Sequence, residues 1–151
     1  MILRERWFLF LGGVAGGLAV LGGAFGAHAL KARLSERAFE IFELAIRYQM
    51  YHGLALLAVG LLLCVLLSKS PGGAQAAADM AKPPLRLLSI AGILFLVGIV
   101  LFCGSLYVYS LADIRFVVRI TPFGGLAWLA AWTCLAIAGL RTFAAPGGGG
   151  R

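Results

Sequence analysis

Charge is what this sequence has least of. Asp, Glu, Lys and Arg make up 13% of its 151 residues, about half the share of a soluble domain. Hydrophobic residues reach 62%, and the mean hydropathy is +0.97. A water-soluble fold of this length could not hide so much apolar surface, so lipid must cover part of it. No charge falls in the core of any long apolar stretch, which argues against an ion-coupled transporter or pump. A basic run of the kind that grips a polyanion is also missing. The net charge of +7 comes from single Lys and Arg residues at the ends of apolar stretches, where they meet lipid headgroups. Nucleic acid is therefore not an expected partner; the bilayer is. The three cysteines, Cys64, Cys103 and Cys134, fall one each in three separate stretches and match no metal-ligand spacing. They read as small buried hydrophobes. No nucleophile stands beside a base and no carboxylates are paired within a stretch, so the chain does not read as an enzyme. Ser105 beside Gly104 is better explained by packing.

What is present is four apolar stretches, each about the 20 residues that a membrane-crossing helix needs. They run over residues 7–30, 49–68, 85–111 and 122–143. The last two connections are short, so consecutive helices are expected to be antiparallel neighbours. The predicted fold is an all-α, up-down-up-down four-helix membrane bundle, with residues 1–151 forming a single membrane domain. The first stretch follows Arg4 and Arg6 and ends in Ala27-His28-Ala29, imitating a signal peptide. It is longer than the 7–15 apolar residues typical of such a core and rich in glycine, so it reads as an uncleaved first helix.

Between the first two spans, residues 35–47 form a short amphipathic segment. Ser35 suits a helix N-cap. Glu36, Glu40, Glu43 and Arg47 make a polar stripe opposite Ala38, Phe39, Phe42, Ala45 and Ile46. That pattern fits an interfacial helix running on into the second span, or simply the polar edge of a bent helix. Residues 69–84, with Pro71-Gly72-Gly73 and Pro83-Pro84, read as a linker, and residues 145–151 as a flexible Pro-Gly tail. In the first span, Gly12, Gly16, Gly23 and Gly26 recur with Ala19 at spacings of 4, 3, 4 and 3. Small residues at such spacing let helices approach closely, within this bundle or between copies. Gly124 and Gly125 permit the same in the fourth span.

Neutral polar residues gather at segment ends that alternating helices bring to one side of the membrane. His28 closes the first span, Gln49 and His52 open the second, Ser105 and Tyr107 close the third, and Thr121 opens the fourth. Any site belongs there, as a hydrogen-bonded cluster or a ligand-binding site. Paired His on facing helices can ligate haem or metal, yet only two His are present and no cofactor is implied. Basic residues number seven on the side of the termini (Arg4, Arg6, Lys69, Lys82, Arg86, Arg141, Arg151) against six on the other. This bias points to cytoplasmic termini.

The same places carry a resemblance. Gly23-Ala24-Phe25-Gly26-Ala27-His28-Ala29-Leu30, Tyr48-Gln49-Met50-Tyr51-His52, Phe102-Cys103-Gly104-Ser105-Leu106-Tyr107 and Thr121-Pro122-Phe123-Gly124-Gly125 together resemble the YgdD-like family, domain of unknown function 423. These are small bacterial inner-membrane proteins, related to a mitochondrial transmembrane family. The resemblance covers roughly residues 7–140; the linker and the glycine tail look like departures from it. It implies a four-span bundle and no agreed activity. Two functional readings follow. One is a non-enzymatic accessory or structural subunit of a larger membrane complex, of respiratory or photosynthetic type, with other membrane subunits as partners. The other is a membrane-embedded binding module for a small hydrophobic or redox ligand such as quinone, haem or lipid.

Overall fold

The computed structural model describes residues 4–68 and 82–143, and every regular element among them is helical. Helix α1, Arg4–Phe25, passes into a π-helical turn, Gly26–Leu30, where Lys31 N–H donates to the Gly26 carbonyl at 3.0 Å. Helix α2, Glu36–Ser68, is capped by Ser35, whose Oγ accepts from Ala38 N–H at 3.2 Å. The amphipathic segment and the second span are thus one uninterrupted helix. Its charged stripe, Glu36, Glu40, Glu43 and Arg47, is exposed, and Phe42 and Ala45 are buried. Helix α3, Pro83–Gly98, continues through a second π turn, Ile99–Cys103, into α4, Gly104–Ala112. Asp113 ends α4 in the left-handed conformation (φ 51°), which Asp tolerates better than most residues. A short 3₁₀ turn, Arg115–Arg119, then leads to α5, Thr121–Phe143.

One expected boundary, between the linker and the third span, changes. Pro83 and Pro84 open α3 and do not belong to the linker: their fixed φ and missing N–H suit a helix's first turn. The rest of the 69–84 segment, and the tail at 145–151, lie outside the described residues.

Among the described residues, four helical stretches are long and apolar enough to cross a membrane. A helix satisfies its own backbone polar groups, which lipid cannot do. The arrangement is two antiparallel pairs, α1 with α2 and α3 with α5, joined where α2 packs on α3 and α4. α1 and α5 are therefore the outer members. In the most apolar stretch of each, 22% of residues are buried, against 39% in α2 and in α3 through α4. The core is filled by Leu56, Val59, Leu63, Leu88, Phe95 and Ala131, with Phe8 reaching in from α1.

Close approach depends on particular glycines. A Cβ on Gly12 would lie 2.9 Å from Leu57 N, and one on Gly26 would lie 3.0 Å from the Phe42 ring. A Cβ on Gly124 would lie 2.8 Å from Phe102 Cβ. Gly16 and Gly23 do not belong with these. Gly16 would meet only Met50 Sδ at 3.9 Å, Gly23 would meet nothing within 4 Å, and Gly125 would meet only Phe102 at 4.0 Å. The buried line on α1 instead runs Phe8, Gly12, Ala15, Ala19, Gly26, Leu30. Ala15 is the member that turns the stripe away from Gly16. Four unheralded glycines complete the packing. Gly53 and Gly60 receive α1, Gly92 receives the Phe8 ring, and Gly98 receives the Trp128 indole.

Candidate functional site

The site is built around one residue of α2. His52 is buried, and its Nδ1 lies 2.8 Å from the Tyr48 carbonyl one turn earlier. A carbonyl only accepts, so Nδ1 carries the proton and the neutral ring presents a lone pair at Nε2. The imidazole stacks on the Trp128 indole from α5, with centroids 3.5 Å apart and planes within 2°. Tyr48 lies parallel to both, 5.7 Å from Trp128 at 9° and 5.9 Å from His52 at 10°. Phe102 leans on Trp128 at 4.7 Å, and Phe95 meets Trp132 edge-on at 5.1 Å.

Two local devices hold Trp128 there. Gly98 leaves a notch in α3 that a side chain would fill. Trp128 Nε1–H donates to the Phe95 carbonyl at 3.2 Å, giving the indole the partner it needs when buried. The π turn begins directly after Gly98, and such single wide turns inside helices often mark functional positions.

Beside the stack lies an open groove of about 590 Å³, walled by Tyr48, His52, Phe102, Trp128 and Trp132. Pro122, Gly125, Leu126 and Leu129 form its outer rim. Trp128 stands 13 residues before Arg141 and 9 after Arg119, about 20 Å and 13 Å of helix. Those basic residues bracket about the thickness of a hydrocarbon core, so the groove opens sideways into lipid. A second hollow, about 290 Å³, lies between the far ends of α1 and α2 and is lined by Gly23, Ala27, Phe39, Glu43 and Arg47.

The six polar residues singled out in the sequence fall into three groups and one outlier. Gln49 Nε2 donates to the Ala15 carbonyl of α1 at 2.9 Å, and Tyr107 hydroxyl donates to Gln49 Oε1 at 3.0 Å. One amide thus ties three helices together. Ser105 Oγ donates to the Phe102 carbonyl at 2.9 Å and meets Thr121 Oγ1 at 2.7 Å. His52 stands with the aromatic rings. His28 joins none of these: its side chain is exposed, in the π turn at the end of α1. The reason is register. α1 and α2 pair with Ala15 opposite Gln49, which leaves His28 13 residues further along α1, about 20 Å away. A paired-histidine site is therefore not formed. Among the described residues, no three metal-ligating side chains cluster either.

Four antiparallel apolar helices with an aromatic groove opening to lipid define a small polytopic helical membrane protein. The family profile described as "Protein of unknown function (DUF423)" matches residues 22–125. A UPF0382 membrane protein of Staphylococcus epidermidis is 39% identical over 134 residues, covering 89% of this chain and 95% of its own. A Staphylococcus haemolyticus relative is 37% identical over 87% of this chain and 93% of its own. The Bacillus subtilis UPF0382 membrane protein YwdK is 34% identical over 89% and 96%. The chain belongs to the DUF423 family of membrane proteins. No solved structure matches it.

Proposed function

We propose that this protein is a non-enzymatic binding module of the bacterial inner membrane, holding a small amphiphilic ligand in the groove between α2 and α5. The observation that carries this reading is the groove itself: a mostly apolar, aromatic-walled recess within the apolar length of the spans, with His52 and Tyr48 among the residues that line it. Such a composition, mostly apolar with one or two placed polar atoms, is what small-molecule sites share. The hydroxyls of Ser105 and Thr121 are engaged in structural bonds, Ser105 with the Phe102 carbonyl and with Thr121. Binding fits these groups better than catalysis does.

The test is ligand retention. Protein purified in mild detergent is extracted with solvent, and the extract is compared with that of Gly125→Phe. This variant fills the groove from its rim, where a Cβ meets nothing closer than 4.0 Å. An amphiphile present at near one per chain in the wild type and lost in Gly125→Phe is the expected result. Identical extracts from the two would overturn the reading.

A second reading, an accessory subunit among other membrane subunits, is favoured by the outer helices. Phe10, Val14, Leu18, Leu21 and Phe25 are exposed along α1, an apolar face that suits lipid or a neighbouring helix. Co-migration with a large complex on a native gel, lost when Leu18 and Leu21 are replaced by Trp, would support it.

A further inference from the structure

We infer that the ligand of the groove is a ring bearing a hydroxyl that donates to His52 Nε2, so that the groove takes a hydroquinone in preference to its quinone. This rests on the proposed binding role and adds the chemistry of the occupant. The argument begins at Nδ1. Its proton is committed to the Tyr48 carbonyl at 2.8 Å, so the neutral imidazole can only accept at Nε2. Among the described residues nothing donates to Nε2, yet no buried side-chain nitrogen lacks a partner. Nε2 is therefore reached from outside the protein, and the groove is the opening that His52 lines. Lipid tails have no donor to offer it. A quinone presents two carbonyl oxygens, which are acceptors facing an acceptor. A hydroquinone presents O–H groups, one of which completes the imidazole's hydrogen bonding.

The walls select for shape as the histidine selects for polarity. Tyr48, His52 and Trp128 are parallel within 10°, and such a set orients a further flat ring against an offset face. Leu126 and Leu129 at the rim are 60% and 66% exposed, leaving a lipid-facing exit for an alkyl or isoprenoid tail. Binding of this kind needs no electron transfer within the protein; it only distinguishes the reduced form from the oxidised one.

The experiment uses the full chain in lipid nanodiscs and titration calorimetry with three probes: a decyl-tailed benzoquinol, its quinone, and the quinol's dimethyl ether. The ether keeps the ring and tail but cannot donate. The quinol is expected to bind at least tenfold more tightly than either of the others. His52→Phe, which keeps an aromatic ring and removes the acceptor, brings the three together. Equal or tighter binding of the quinone overturns the inference, as does equal binding of quinol and ether. A ringless probe, decanol, separates this failure from that of the binding role. If decanol binds the wild type but not Gly125→Phe while the quinol does not bind, the occupant's chemistry is wrong and the groove remains a site. If no probe distinguishes wild type from Gly125→Phe, both fall.

Discussion

At the scale of single residues, some of the tightest contacts form where a missing side chain lets another one in. Gly98 and Trp128 form such a pair, and neither can change alone. Gly98→Ala drives a methyl into the indole and displaces the ring that stacks on His52. Its cost should fall in the range of about 1–3 kcal/mol usual for overpacking, read as a lower melting temperature in detergent. Gly23→Ala, in open space, should melt like wild type. Equal melting of the two variants would show that the indole is not held in the notch. Gln49 makes a parallel case in polar chemistry. Gln49→Leu strands the Tyr107 hydroxyl and removes the link to Ala15, at a cost of about 1–3 kcal/mol for the orphaned partner. Tyr107→Phe in the Gln49→Leu background should cost little more, because its hydroxyl has already lost its acceptor. Additive losses would place these residues in independent roles.

At the scale of elements, the spans were legible because their length and hydropathy are set by the bilayer, whatever they pack against. The N-cap at Ser35 and the amphipathic start of α2 were legible for a similar reason: each depends on neighbours within about one turn. What escaped was register between helices. His28 was grouped with His52 by counting from segment ends, and the pairing of Ala15 with Gln49 moved it out of reach. On the α1 stripe Gly12, Ala19 and Gly26 are buried, while Ala15 and not Gly16 joins them, since both residues are small and only the partner helix decides between them. Gly53 and Gly60 share the face of α2 that meets α1, seven residues apart, while Gly92 and Gly98 stand singly. Trp128 did carry a signal, because an indole N–H in the middle of an apolar span needs an acceptor. The π turn at Ile99–Cys103 has no sequence signature, yet it makes a sharp prediction. A π turn is one residue more than the α-helical turn it replaces. Deleting Val100, which is exposed, should restore a plain helix with Gly98 and Ser105 still facing their partners. Deleting Ile93, also exposed but in regular helix, should rotate Phe95 and Gly98 by about 100° against the rest of the bundle. Membrane accumulation of the first deletion and loss of the second is the expected outcome; loss of both would mean that the wide turn itself is needed.

At the scale of the whole molecule, the four spans among the described residues begin and end on one side of the bundle, and the expectation of which side that is rests on charge. Seven basic residues on the side of the termini face six on the other, and by the rule that basic loops stay in the cytoplasm the termini are expected to face inward. The groove, about 13 Å of helix from Arg119, would then lie nearer the outer face, as would the proposed hydroxyl ring. A margin of a single charge is easily reversed. Val118 and Ile120 are exposed, in and just after the turn before α5, and bear on no part of the aromatic stack. Replacing both with Lys gives the outer side the majority without touching the core. A reporter active only in the cytoplasm, fused to the C-terminus, should be active on the wild-type chain and lose much of its activity in the double Lys variant. A second reporter active only outside should change in the opposite sense. A wild-type chain silent with the first reporter and active with the second would reverse the assigned orientation and place the groove near the cytoplasmic face.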